Sequence, residues 1–212
     1  MTAAPLRQIK RRFDFNVERV SNLLILHSGL KKNEQYREYR GDLLRSAVVF
    51  LHATLEDLVR ELLRAKASLD PSFLYKRLQF RMDSVKPEGK VDVAYLAGHR
   101  GKTVDDVISD CVALHLEQRT FNNIGDLKTA LRELGFKNHG FEESCEKLRP
   151  AIQRRHKIVH EGDREAYDND THGVRHPIRA NEVEEWLNAL REFGNLLLEN
   201  SGQASAAERE SK

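Results

Sequence analysis

The segment from residue 39 to residue 67 restricts the fold most, because apolar residues recur along it in an unbroken helical period. Its apolar positions follow the i, i+3, i+4, i+7 spacing that the core-facing side of a helix requires. They are Leu44, Ala47, Val48, Leu51, Leu55, Leu58, Val59 and Leu62. Asp70 and Pro71 end the pattern. The segment therefore predicts one long amphipathic helix with its apolar side in a core.

Similar periods predict further helices, and no segment alternates in the way that would predict a strand. The predicted helices are residues 6–30, 103–117, 123–134, 141–161 and 181–199. Gly135 and Gly162 should cap two of them, and Pro150 should either kink its helix or begin a new one. We therefore expect an all-α antiparallel helical bundle forming one domain over residues 1–200. Residues 71–140 should form an irregular, partly helical insertion, and residues 201–212 a disordered tail.

Composition excludes several classes of protein. With 40% hydrophobic and 32% charged residues and a net charge of +2, the chain does not resemble a nucleic-acid coat or a membrane-surface protein. Its longest apolar run, residues 47–51, is too short to span a membrane. The two cysteines, Cys111 and Cys145, are far apart and in no zinc-binding spacing. These features favour a cytoplasmic protein from a reducing compartment.

Residues 154–163, RRHKIVHEGD, place two arginines and two histidines at the end of a predicted helix. On a helical wheel, Ile152 and Val159 face the core, Arg155 lies on one shoulder of that stripe, and His156 and His160 lie on the other. We expect these groups to be partly desolvated, with Arg154 and Lys157 pointing further out. Arginine binds phosphate with a planar set of donors, and imidazole exchanges protons near neutral pH.

The long helix carries a second set of ionisable residues. Arg45, His52 and Glu56 share one flank of its apolar stripe. If that flank faces the RRHKIVH helix, Glu56 would orient an imidazole or pair with Arg155. The alternative is that Glu56 forms an ordinary salt bridge with an exposed neighbour.

The run Arg155-His156-Lys157-Ile158-Val159-His160 resembles the signature of the HEPN superfamily, the all-α "higher eukaryotes and prokaryotes nucleotide-binding" domains. That signature is an arginine, a polar residue, three further residues and a histidine. The segment SAVVFLHATLEDLVREL also resembles the second helix of the prokaryotic branch. The resemblance is tight only over residues 46–63 and 152–163. It implies a homodimeric endoribonuclease that needs neither a metal nor another cofactor.

By this resemblance, Arg155 would hold the scissile phosphate of an RNA substrate, and His160 would activate the ribose 2′-hydroxyl or protonate the leaving oxygen. His156 occupies the polar position of the signature, and Arg154, His52 and Glu56 are supporting candidates. Arg155 and His160 lie about 140° apart on a straight helix. A second copy related by a two-fold axis would bring together an Arg155 and a His160 from different chains.

Three other interpretations remain. A HEPN-like domain without catalysis would be a binding module that partners a toxin, an antitoxin or another regulatory or sensor protein. A zinc site is suggested by the i, i+4 pair His156 and His160 and by His172 and His176, but Lys157 would repel a cation there. The third is that RRHKIVH is only an amphipathic helix end with solvated arginines.

Overall fold

In the computed structural model, the described residues are 3–30, 33–69, 97–136, 140–164 and 175–210. Within these ranges the chain forms α1 (Ala3–Gly29), α2 (Arg37–Ala67), α3 (Val104–Gln118), α4 (Ile124–Leu134), α5 (Glu142–Glu161) and α6 (Ala180–Glu210). A short 3-10 turn, Glu34–Tyr36, precedes α2. The prediction of an all-α helical bundle is confirmed.

The helix ends follow from local chemistry. Thr103 and Asp106 form a capping box at the start of α3, in which each side chain binds the backbone N–H of the other. Gly135 ends α4 at a φ of 90°, and Gly162 ends α5 at a φ of 62°, a left-handed conformation that glycine adopts without steric cost. α5 runs through Pro150 without interruption, so no new helix begins there.

α2 is the central element of the bundle and packs against each of the other five helices. Its predicted apolar stripe is buried along its length, with Ala47, Val48, Val59 and Leu62 fully inaccessible to solvent. One continuous core includes residues from all six helices. Because α5 packs on both α2 and α6, the core fixes the helix that carries the RRHKIVH segment.

One predicted helix end differs from the structure, and one predicted segment lies mostly outside the described residues. The last helix continues to Glu210, beyond its predicted end at residue 199. Most of the segment 71–102 lies outside the described residues. Further along the proposed insertion, α3 and α4 bury Leu116, Leu127 and Leu131 in the common core. The division into a domain, an insertion and a tail stays a prediction.

Candidate active site

The orientation of α5 decides which motif residues reach solvent. Ile152 is buried as predicted, but Val159 is 47% exposed, so its predicted place in the core is wrong. Ile158 packs against the core instead. Because consecutive residues lie about 100° apart around a helix, burying Ile158 turns Val159 toward solvent and turns Arg155 inward.

Arg155 is partly buried and is held by a residue outside α5. Its Nη1 donates a hydrogen bond to Oδ1 of Asn122, 3.1 Å away, in the loop between α3 and α4. This contact uses one of the five N–H donors of a guanidinium. The remaining donors give Arg155 the capacity to bind a phosphate while Asn122 holds the side chain in place.

His156 and His160 lie on the outer face of α5. Both are exposed, so the expectation that they are partly desolvated at the core boundary is wrong. Their ring centroids are 4.6 Å apart, and the two rings are inclined by 44°. With Val159 on the same side, they form an exposed surface, the His156–Val159–His160 face, on which an imidazole is open to a ligand.

Arg154 was expected to point outward, and this is also wrong. Its Nη2 donates to Oδ2 of Asp163 at 2.8 Å and to the backbone carbonyl oxygens of His176 and Pro177 at 2.8 and 3.0 Å. Arg45 of α2 binds the same carboxylate from another side, with Nε 2.6 Å from Oδ2. We call this arrangement, in which Asp163 is fully buried between Arg45 and Arg154, the Asp163 clamp.

The backbone of Asp163 also joins chain segments. Its N–H donates to the carbonyl oxygen of Lys157 at 3.0 Å, and its own carbonyl oxygen accepts from the N–H of His176 at 2.8 Å. The residue has a φ of 58°, which aspartate tolerates better than most residues. The clamp therefore fixes the last turn of α5, which carries His160. Gly162-Asp163 is a turn signal, but nothing in the sequence spacing indicates that this carboxylate would be buried.

The flank of α2 that was predicted to support the motif acts on a loop rather than on an imidazole of α5. Nε2 of His52 donates to the carbonyl oxygen of Phe121 at 3.1 Å, and Oε1 of Glu56 accepts from the N–H of Phe121 at 3.1 Å. Among the described residues, Glu56 forms its ion pair with Arg60, at 3.4 Å, and not with Arg155. His52 and Glu56 therefore fix the residue that precedes Asn122.

Arg60 extends the same support. Its Nε donates to the carbonyl oxygen of Leu116 at 3.1 Å, and its Nη2 donates to that of Arg119 at 2.7 Å. The end of α3 and the loop that follows it are thus bound to one side of α2. The sequence gives no sign that Asn122 and Arg60 belong to the site, because no local pattern links them to a motif more than 30 residues away.

The environment of His52 disfavours protonation of its imidazole. Burial is the largest effect and lowers the pKa of His52 below its ordinary value of 6.5, while the carboxylate of Glu56 opposes the shift. The positive charges of Arg155 and Arg60 lower it further. A neutral imidazole with its proton on Nε2 is the form that donates to the Phe121 carbonyl oxygen.

No group of three or more His, Cys, Asp or Glu side chains in the described part of the chain is arranged to hold a metal ion. His172, one of the residues considered for a zinc site, lies outside that part. In the same described ranges, none of the helices has the length and apolar character needed to cross a bilayer.

Comparison with known families gives one match. The model of the family described as RiboL-PSP-HEPN matches residues 14–199. This range includes most of α1, all of α2 to α5, most of α6 and the whole site described above. Searches of curated proteins and of solved structures found no match.

Proposed function

We propose that this chain, a member of the RiboL-PSP-HEPN family, is a metal-independent endoribonuclease that works as a homodimer. The proposal rests on one observation, which is that two adjacent arginines have different contacts. Among the described residues, Arg154 is bound within the Asp163 clamp, whereas Arg155 forms a hydrogen bond with the neutral side chain of Asn122 and no ion pair. A guanidinium that is positioned by a neutral partner is suited to bind a phosphodiester.

In the proposed reaction, Arg155 binds the non-bridging oxygens of the scissile phosphate and stabilises the negative charge that grows on them. The imidazole of His160 accepts the proton of the ribose 2′-hydroxyl as that oxygen bonds to phosphorus. The bond between phosphorus and the 5′-oxygen breaks, and the leaving oxygen takes a proton from the solvent, to which the His160 imidazolium returns the proton that it accepted. The products are a 2′,3′-cyclic phosphate and a 5′-hydroxyl end, with no net oxidation or reduction.

The geometry of α5 supports a two-chain site. Arg155 turns toward the loop between α3 and α4, while His160 lies on the exposed side of the same helix. Since one phosphate is difficult for both side chains of one helix to reach, we propose that Arg155 of one protomer and His160 of the other act together. The exposed Val159 between the two histidines supplies an apolar contact for such a two-fold interface.

The test is cleavage of a mixed tRNA and mRNA pool in the presence of EDTA by the wild type, Arg155→Ala and His160→Ala. We expect only the wild type to cut and to leave 2′,3′-cyclic phosphate ends. Lys157→Ala is the matched control, because it removes a positive charge from the exposed surface of the same helix and should cut at the wild-type rate. Circular dichroism and light scattering verify that all variants keep the fold and the oligomeric state.

A second candidate function is supported by the His156–Val159–His160 face. An exposed aliphatic side chain between two imidazoles is also suited to bind a protein. The chain would then be a non-cleaving HEPN-type module that partners a toxin, an antitoxin or a sensor protein. Uncut RNA in the assay above, together with loss of partner binding on Val159→Asp, would favour this function. A role in a cytoplasmic toxin–antitoxin or phage-defence system is part of the proposal under either candidate.

A further inference from the structure

We propose that Asn122 is a positioning residue for Arg155, and that its neutral amide lets the guanidinium keep the charge needed to bind phosphate. The inference rests on the proposed ribonuclease function and names the device that orients its phosphate-binding side chain. Asn122 lies 33 positions before Arg155 in the sequence and on a different element. No motif of the sequence contains it.

A long side chain needs such a device. An arginine side chain has several rotatable bonds, so it loses rotamer entropy when it is fixed. In this chain Arg155 is partly buried, and its guanidinium is anchored at Nη1 by Oδ1 of Asn122, at 3.1 Å. The contact selects one direction for the guanidinium plane, so part of that entropy is lost on folding rather than on binding RNA.

Asn122 can orient Arg155 because its own backbone is fixed on both sides. Phe121, on one side, is fully buried, and both its N–H and its carbonyl oxygen are hydrogen-bonded to α2, through Glu56 and His52. Asn123, on the other side, caps α4 by accepting from the N–H of Asp126 at 2.9 Å. Asn122 is therefore held between a buried anchor and a helix cap.

The neutrality of Asn122 has a chemical consequence. A carboxylate at this position would form a stronger, charge-assisted bond with Arg155. It would also compensate the positive charge that an RNA phosphate has to meet. An amide oxygen accepts the same hydrogen bond from Nη1 without supplying a negative charge. Asn122 can therefore orient the guanidinium of Arg155 without compensating its positive charge.

The experiment compares Asn122→Ala, Asn122→Asp and Asn188→Ala with the wild type. Asn188 is the matched control, because it also accepts a hydrogen bond from an arginine, Arg191, at 3.0 Å, but on the exposed surface of α6. We expect Asn122→Ala to lower kcat about ten-fold through misplacement of the guanidinium. Asn188→Ala should cleave at the wild-type rate.

Asn122→Asp separates positioning from a purely structural role. Its thermal midpoint should equal or exceed that of the wild type, since the new ion pair strengthens the contact, yet cleavage should fall about ten-fold or more because the arginine charge is compensated. A residue with only a structural role would change stability and cleavage in the same direction. Wild-type cleavage by Asn122→Asp would overturn the proposal.

A double-mutant cycle of RNA binding, with Asn122→Ala and Arg155→Ala, tests this inference separately from the proposed function. A fully 2′-O-methylated RNA oligonucleotide cannot be cleaved, because its 2′-oxygens are blocked. We expect Asn122→Ala to weaken its binding in the wild-type background and to change nothing in the Arg155→Ala background. Additive losses would overturn the role of Asn122 whether or not the wild type cuts RNA. If the wild type does not cut RNA but the cycle is non-additive, the proposed function fails and the positioning role remains.

Discussion

Nη2 of Arg154 and Oδ2 of Asp163 lie 2.8 Å apart, and this carboxylate has no exposure to solvent. The pair makes Arg154 part of the Asp163 clamp, while Arg155, the next residue, is directed to Asn122. Two arginines that look equivalent in the sequence therefore have different surroundings. The clamp holds the last turn of α5, and the guanidinium of Arg155 keeps donors for a ligand.

We predict that Asp163→Asn lowers the free energy of unfolding by about 3 kcal/mol, since it removes the counter-charge that Arg154 has in the clamp and the nearer of the two carboxylates that pair with Arg45. The control is Asp42→Asn. Asp42 also pairs with Arg45, at 3.6 Å, and with Arg175, but its side chain is 50% exposed. Its loss should cost less than about 1 kcal/mol. Chemical unfolding followed by circular dichroism measures both. Equal losses for the two variants would show that the clamp does not stabilise the fold beyond a surface ion pair.

The lowered pKa of His52 predicts how stability depends on pH. In the unfolded chain the pKa of His52 lies near its ordinary value of 6.5, whereas burial lowers this pKa in the folded protein. Between the two pKa values the unfolded state holds more protons, so the His52 contribution makes stability fall as the pH drops below about 6.5. Above that pH His52 is neutral in both states and contributes no slope.

Unfolding of the wild type and of His52→Gln at a series of pH values from 5 to 8 tests this prediction. Glutamine places an amide donor near the position of Nε2 but does not titrate, so the acid-side slope should become smaller. The other ionisable groups that titrate in this range remain in both proteins and cancel in the comparison. An unchanged slope would mean that His52 is protonated equally in the folded and unfolded chains.

The sequence predicted the helices well because their signals are local. The α2 stripe and the glycines after α4 and α5 each depend on residues a few positions apart. The same local information placed Arg155 and His160 on different sides of one helix. A helical wheel, however, cannot show which of two adjacent apolar residues a neighbouring helix will cover, and so Val159 was assigned to the core in place of Ile158.

The connections that organise the site could not be predicted because they join distant parts of the chain. Arg45 and Asp163 are 118 positions apart, and Glu56 and Phe121 are 65 apart. A wheel correctly grouped Arg45, His52 and Glu56 on one flank of α2. It gave no information on their partners, which proved to be the Asp163 carboxylate and the Phe121 backbone rather than an imidazole of α5.

We predict that Gly194→Ala destabilises the bundle by about 1–3 kcal/mol through overpacking. A Cβ at Gly194 of α6 would overlap Cζ of Phe13 and lie 2.7 Å from Cε1 of the same ring, which is buried between α1 and α6. Gly202 is a control on the same helix, where an added Cβ meets nothing within 4 Å. Gly202→Ala should therefore stabilise the protein by about 0.5–1 kcal/mol through helix propensity. Thermal unfolding of the two variants should shift in opposite directions, and a parallel shift would contradict the prediction.

The shared site of the proposed dimer predicts that two inactive variants restore each other. In a dimer of Arg155→Ala with His160→Ala, one of the two sites combines the intact arginine of one chain with the intact histidine of the other. The second site lacks both groups. A 1:1 mixture exchanged to equilibrium should hold about half mixed dimers, so it should cut RNA at about a quarter of the wild-type rate.

Differently tagged chains, co-expressed and purified through both tags, isolate the mixed dimer and raise its expected rate to about half that of the wild type, because one of its two sites is complete. Each variant expressed alone gives the background rate. If the purified mixed dimer forms but cuts no faster than its parents, Arg155 and His160 of the same chain must act together. In that case α5 would have to bend at its last turn to bring the two side chains to one phosphate, since they project about 140° apart from a straight helix.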